Sequence, residues 1–355
     1  MKKKILIIGG AGFIGMNLAR FLLQNRESEL TLADYNFMRD SSEYFTEQEA
    51  DSINFVQDDF TCSSAFEILD KDFDFVYMLA SVVGVNNTLE HPDEVLRVNT
   101  SLIFNCLEWL KTTSVKRVLF TSTSETYSGT TEVLDYPIPT DESVPLCIQA
   151  VSDSRFTYAI TKIIGESAFL NYAKKCDFEA TIVRYHNAFG PDMGFKHVIP
   201  HLVERFMNNE SPFRMYGHDQ TRAFSFVDDT INGTVLAMES DMAAGEIFHI
   251  GSSQEISIEE LIKAVGEIMG YSGEYVEAPT YPGSVSRRCP DISKAKRVFG
   301  YNPQIDWKVG LVSTVEWYKA YYQVHDTNIR TLTLDQIKFY TNLAEKRKIM
   351  WSKND

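Results

Sequence analysis

The chain opens on a short β-rich run, KILIIG, that passes directly into glycines at positions 9, 10, 12 and 15 and then into FIGMNLARFLLQN, which is periodic at helical spacing. A strand that turns on glycine straight into a helix makes a tight turn, lets backbone approach an anion, and packs helix close to strand. The N–H groups and dipole at the helix start then favour negative charge. Gly9-x-x-Gly12-x-x-Gly15 therefore reads as a pyrophosphate-binding turn, with Phe13 and Ile14 opening the helix beside it. Asp34 closes the next strand pattern, LTLAD, where a carboxylate would accept both hydroxyls of an adenosine ribose and repel a 2′-phosphate. The expected cofactor is NAD rather than NADP, although Arg39 lies close by in sequence.

The rhythm continues with INFVQ, DFVYMLA and RVLFTST as strands, and with long helical patterns over PDEVLRVNTSLIFNCLEWLKTT and FTYAITKIIGESAFLNYAKKC, and becomes irregular beyond TIVRYHNAFGP. Near-continuous apolar strands separated by helices require a parallel sheet covered on both faces. The expected fold is α/β: a Rossmann, doubly wound parallel sheet over residues 1–190, with returning segments near 222–252. A smaller C-terminal α/β substrate-binding lobe is expected over 191–325, and a polar tail over 326–355. SIEELIKAVGEIM in that lobe begins with a Ser257 to Glu260 capping box.

With 355 residues and 44% apolar content there is material for one large core or two coupled ones. No apolar run reaches the roughly 18 residues of a membrane span, and the opening MKKKILIIGG is too short in apolar residues for a secretion signal. A cytoplasmic protein without a membrane partner is expected. The five cysteines are scattered without a C-x-x-C pair, which fits reduced thiols. A formal charge of -15 repels nucleic acid, so an anionic ligand requires a local concentration of arginine. No metal site is expected: His197 and His201 are four apart, but Pro200 interrupts the turn and a third ligand is missing.

Two further stretches carry chemistry. YAITK places Tyr158 and Lys162 on one face of a helical turn. Lowering a phenol pKa from about 10 toward 7 takes roughly 4 kcal/mol. An ammonium near 4 Å supplies about that much at an effective dielectric of 20. TSTSETYSG, residues 121–129, crowds hydroxyls and one acid at the end of an apolar strand.

GGAGFIG, Asp34, the hydroxyl run and YAITK, in this order, resemble the extended short-chain dehydrogenase/reductase family of nucleotide-sugar epimerases, dehydratases and decarboxylases. RYHNAFGP, TRAFSFVDD and RRCPDISKAKRVFGYNP resemble its later motifs, so the likeness runs to about Tyr318. The resemblance implies that Thr123 binds the sugar 4-hydroxyl, with Ser124 and Glu125 beside it. Tyr158 is the base, and Lys162 holds the nicotinamide ribose and acidifies Tyr158. It further implies Asp59 and Phe60 at the adenine, Leu79, Ala80 and Ser81 under the nicotinamide half, and Asn187, Arg222 and Arg288 on a nucleotide diphosphate. His186 stands where the family usually has an aromatic carbon ring.

The fate of the sugar after its oxidation at carbon 4 is open at this level. Ser124 occupies the place of a 4,6-dehydratase's acid, which disfavours dehydration. STSE and SRFTY resemble UDP-glucuronate decarboxylases, and net oxidation by a 4-dehydrogenase is a further outcome. Epimerisation asks least of the site, so a 4-epimerase is the expected label. A non-catalytic NAD-binding regulator and a steroid or alcohol dehydrogenase are the readings from other classes. The patterns from Pro92 to Thr113 and Thr157 to Cys176 carry apolar residues on more than one face, including Leu102, Phe104, Leu107 and Trp109, which predicts a homodimer through two helices per subunit.

Overall fold

A computed structural model of the chain describes residues 2–37, 44–280 and 285–324. Arg39 and the tail 326–355 lie outside the described residues. The strands β1 (Lys3–Ile8), β2 (Ser28–Asp34), β3 (Ile53–Gln57), β4 (Phe75–Met78), β5 (Arg117–Thr123) and β6 (Glu179–Tyr185) form one parallel sheet with the strand Ile247–Ile250. Its order is Ile247–Ile250, β6, β5, β4, β1, β2, β3. The chain winds outward from β1 to β3 and returns to lay β4 on the other side of β1, so the order reverses between β1 and β4. Ligands of open α/β sheets bind at such a point, beyond the carboxyl ends of the strands.

The strands are apolar because both faces are covered. Ile5 and Ile7 of β1 enter a core with the helix Phe13–Asn25 and the helix Val227–Glu239, whereas Leu6 and Ile8 enter the opposite core with the helices Pro92–Leu110 and Thr157–Ala173. This is the period of two that places successive side chains on opposite faces. A third core joins the helices Val198–Met207, Ile258–Ile268 and Trp307–Val324 through Val203, Phe206, Leu261, Val265 and Leu311. Ser257 caps the second of these, accepting from Glu260 N while the Glu260 carboxylate accepts from Ser257 N at 2.7 Å.

Of the segments expected to return near 222–252, the strand Ile247–Ile250 extends the large sheet beside β6. Thr221–Ala223 pairs instead with Glu255–Ser257 and Arg287–Arg288 in a small separate sheet. That pairing matters for the site, because it sets Arg222 opposite Arg288.

The helix Pro92–Leu110 corrects the reading of its apolar residues. Leu102, Leu107 and Trp109 are buried within the subunit, and Trp109 meets Phe66 and Phe73 at ring distances of 5.7 and 6.4 Å. The sheet, the neighbouring helix Thr157–Ala173 and the turn Ser63–Phe66 occupy three sides of the helix, which accounts for its unusually wide apolar face. Leu96 and Phe104 remain exposed. Among the described residues no helix is long and apolar enough to cross a membrane.

Candidate active site

The glycine turn lies at the carboxyl end of β1. Gly9 has φ of +89°, a left-handed conformation, and a Cβ there would sit 2.5 Å from Ala80 N, so glycine is required on both counts. At Gly15 a Cβ would press on the carbonyl oxygens of Gly9 and Gly10, so the helix could not approach the turn so closely. Gly12 caps the helix Phe13–Asn25 without a side-chain bond, and the first turn has no acid. Its N–H groups and partial positive charge are therefore disposed toward an anion. Phe13 and Ile14 are half-buried and pack against the core between this helix and the sheet.

A cleft of about 650 Å³ runs from this turn past Asp34, Asp59, Phe60, Leu79, Ala80 and Ser81. Asp34 Oδ2 accepts from Ala11 N at 2.9 Å, which ties the end of β2 to the glycine turn. Asp59 accepts from both the N–H and the hydroxyl of Thr61. Phe60 is buried against Phe66. Leu79 N and Ala80 N both donate to Ile8 O. Sequence reasoning missed Asn99 here: the buried amide accepts from Val82 N at 2.7 Å and donates to Val82 O and Thr161 Oγ1, fastening the loop after β4 to the helix Thr157–Ala173. A polar residue amid the apolar residues of a core helix was the available signal. These residues fit a dinucleotide laid across the reversal point, pyrophosphate at the helix start and ribose at Asp34.

Thr123 ends β5 and its hydroxyl accepts from Glu125 N at 3.3 Å. Ser124 is buried. Tyr158 and Lys162 share a face of the helix Thr157–Ala173; the ammonium lies 5.7 Å from the Tyr158 ring centre and donates to Thr121 O at 2.8 Å. Burial pushes Lys162 down to about 7, against the raising effect of Glu166. Burial, with the Glu125 charge second, raises the Tyr158 phenol above its ordinary range. In the polypeptide by itself both shifts run against the expected acidification by Lys162. The lysine is itself desolvated and turned toward a carbonyl, so an acidic phenol needs an added positive charge, which an oxidised nicotinamide carries.

Glu125 is the centre of the arrangement. It accepts from Arg288 Nη1 at 2.6 Å and from Arg155 Nη2 at 3.3 Å. Burial alone would raise its carboxyl, but the charges of Arg288, Arg155 and Arg222 outweigh burial and hold it down to about 2. Arg222 donates to Thr221 O and Gln220 Oε1, and burial together with the Arg288 charge lowers it to about 10. Three guanidinium groups thus surround one carboxylate, an excess of positive charge inside a protein of net charge -15. Arg288 thus reaches the hydroxyl run from the small sheet, and Arg155 joins it there. Asn187, at φ of +40°, donates to Ala223 O at 2.9 Å and so anchors the strand next to Arg222. His186 is fully buried, its Nε2 3.2 Å from the Tyr127 hydroxyl, behind the site rather than in it.

Residues 5–251 match the sequence profile of the NAD dependent epimerase/dehydratase family. Over 329 residues the chain is 33% identical to the UDP-N-acetyl-alpha-D-glucosaminuronate decarboxylase of Bacillus cytotoxicus, covering 90% of this chain and 98% of that one. Among solved structures it resembles the UDP-glucose 4-epimerase of Thermotoga maritima with UDP-glucose (26% identity, TM-score 0.78, 90% of this chain and 99% of that one). It also resembles the UDP-glucuronic acid 4-epimerase of Bacillus cereus in complex with UDP-glucuronic acid and NAD (25% identity, TM-score 0.77, 90% and 100%).

Proposed function

We propose, given that this chain belongs to the NAD-dependent epimerase/dehydratase family and is an NAD-dependent enzyme of nucleotide sugars, that its substrate is a nucleotide-diphosphate hexuronate, oxidised at carbon 4 and then decarboxylated. The observation that carries this reading is Glu125 held between Arg288 and Arg155. Arg222 and Arg288 supply charge for a diphosphate, and Arg155, three residues before Tyr158, supplies a further guanidinium at the sugar end. NAD, when bound, takes the hydride from carbon 4 and can return it.

In this reading Thr123 holds the 4-hydroxyl, Tyr158 removes its proton and later restores one, and Lys162 contributes positive charge beside the phenol. The ionised Glu125 faces the carboxylate at carbon 6 with like charge. Once carbon 4 is a ketone, loss of carbon dioxide removes that charge from the sugar, and the electron pair left on carbon 5 is delocalised into the 4-keto group. No acid stands at position 124, so elimination of water lacks its proton donor.

Epimerisation at carbon 4 is the second reading, favoured by whole-length likeness to the Thermotoga and Bacillus cereus epimerases. Purified protein with NAD and UDP-glucuronate or UDP-N-acetylglucosaminuronate in deuterated water separates the two. Loss of the mass of carbon dioxide with a deuteron at carbon 5 supports decarboxylation; an unchanged mass with a new carbon 4 configuration refutes it in favour of epimerisation.

The exposed Leu96 and Phe104, eight residues apart on one helix face, are the proposed seat of a homodimer. A monomeric mass by light scattering at micromolar concentration would contradict it.

A further inference from the structure

The helix Thr157–Ala173 presents a third polar residue at the spacing that places Tyr158 and Lys162 together: Glu166 lies four beyond Lys162. Its side chain is buried at 4% exposure and its carboxylate is fully engaged. Oε1 accepts from Ser122 Oγ at 2.5 Å and from Arg184 Nε at 2.8 Å, and Oε2 accepts from Arg184 Nη2 at 2.8 Å. Arg184, on the neighbouring strand β6, is 2% exposed. Lys162 on the same helix bonds the carbonyl of Thr121. Two successive helix turns therefore grip two successive residues of β5, and the next residue of that strand is Thr123.

An ion pair this deep is a poor device for stability, because desolvating both charges offsets most of their attraction and an apolar pair of similar volume often does as well. Its geometry suits another purpose. We propose that Glu166 is a positioning residue of the active site: clamped by Arg184, its carboxylate holds the Thr121–Thr123 end of β5 against the catalytic helix and supplies the negative charge that keeps Lys162 an ammonium. The titratable and charged groups around Lys162 are Tyr158 and Glu166 on its own helix, Arg184 from β6 behind Glu166, and Glu125 beyond Tyr158, the last already countered by Arg155 and Arg288. On β5 it meets the Thr121 carbonyl and, at 4.7 Å, the Phe120 ring. Glu166 is thus the near anion without a competing role at the substrate.

The role rests on the catalytic reading of Tyr158 and Lys162, and one arm of its test needs no sugar. In full-length protein carrying ¹⁵N at the lysine side-chain nitrogens, the Lys162 resonance, assigned by its loss in Lys162→Arg, is monitored against pH. The wild-type midpoint is expected near 7. Glu166→Gln should move it down by about one unit or more, a tenfold change in proton affinity, whereas Ser122→Ala, which keeps the charge, leaves it in place. The pair Glu166→Gln with Arg184→Met removes both buried charges and so leaves neither unpaired; it should retain a lowered midpoint. On UDP-glucuronate, Glu166→Gln is expected to lower kcat at least tenfold at neutral pH with KM within about threefold. A Lys162 midpoint unchanged in Glu166→Gln, or restored to the wild-type value in the double variant, would overturn the assignment. A shifted midpoint in a protein whose wild type turns over neither uronate leaves the positioning role standing and counts against the substrate alone.

Discussion

Arg288 donates to the Glu125 carboxylate at 2.6 Å across 163 residues of sequence, joining an edge strand of the small three-stranded sheet to the end of β5. The bond closes the C-terminal segment over the hydroxyl run. It makes Glu125 an ionised, largely buried carboxylate flanked by cations.

Glu125→Gln should cost both turnover and acid sensitivity. Turnover of the uronate is expected to fall by about 10² to 10³, with NAD affinity within about threefold. The Glu125 carboxyl titrates near 2 in the fold and near 4.5 when unshifted. Its folded value is depressed, so its stabilisation is present above pH 4.5 and lost as pH falls toward 2, at most about 3 kcal/mol. Urea midpoints measured between pH 6 and pH 3 should therefore fall less steeply in the variant than in the wild type.

Lys162→Met should trade activity for stability. The ammonium is buried and lowered to about 7 from 10.5. Between these values the unfolded chain binds the extra proton, so this group's contribution to stability rises with pH through that window. Its cost is full below pH 7, at most about 5 kcal/mol. The variant should melt higher than wild type at pH 6, with the gap narrowing toward pH 10, and should lack turnover.

Tyr158 should become acidic only when NAD is bound. In the free protein burial and Glu125 keep the phenol above its ordinary range. Ultraviolet difference spectra should show no tyrosinate attributable to Tyr158 below pH 10. With saturating NAD one tyrosinate should appear at lower pH, and Tyr158→Phe should lack it. Equal spectra with and without NAD would refute the account of the base.

Asp34→Ser removes the carboxylate proposed for the ribose and its bond from Ala11 N. NAD affinity is expected to fall about tenfold, the loss of a charge-assisted bond. Discrimination against NADP, read as the ratio of dissociation constants from fluorescence titration, should shrink with it.

Much of the fold was legible locally. A glycine turn between strand and helix, alternating elements and a carboxylate ending β2 are short-range features, each set by backbone sterics and by hydrophobic period within a few residues. Tyr158 and Lys162 were legible for the same reason, because a helix brings residues four apart onto one face. The Ser257 capping box, also local, formed as written.

The distant pairings were not legible. That Arg288 and Arg155 meet on Glu125 could not be read from the chain; only the packing of three separate segments sets both there. Trp109 and Leu107 read as an intersubunit surface because periodicity records how much apolar face a helix has, not which neighbour covers it. The acidity of the phenol and the ammonium was likewise set in three dimensions, where burial raises the one, together with Glu125, and lowers the other against Glu166. The elements, the glycine turn and the Tyr158–Lys162 pair are written in the order of the residues. Which charges meet, and how dry they are, is fixed by packing alone, since Coulomb energy and desolvation depend on distances and burial that chain order does not encode.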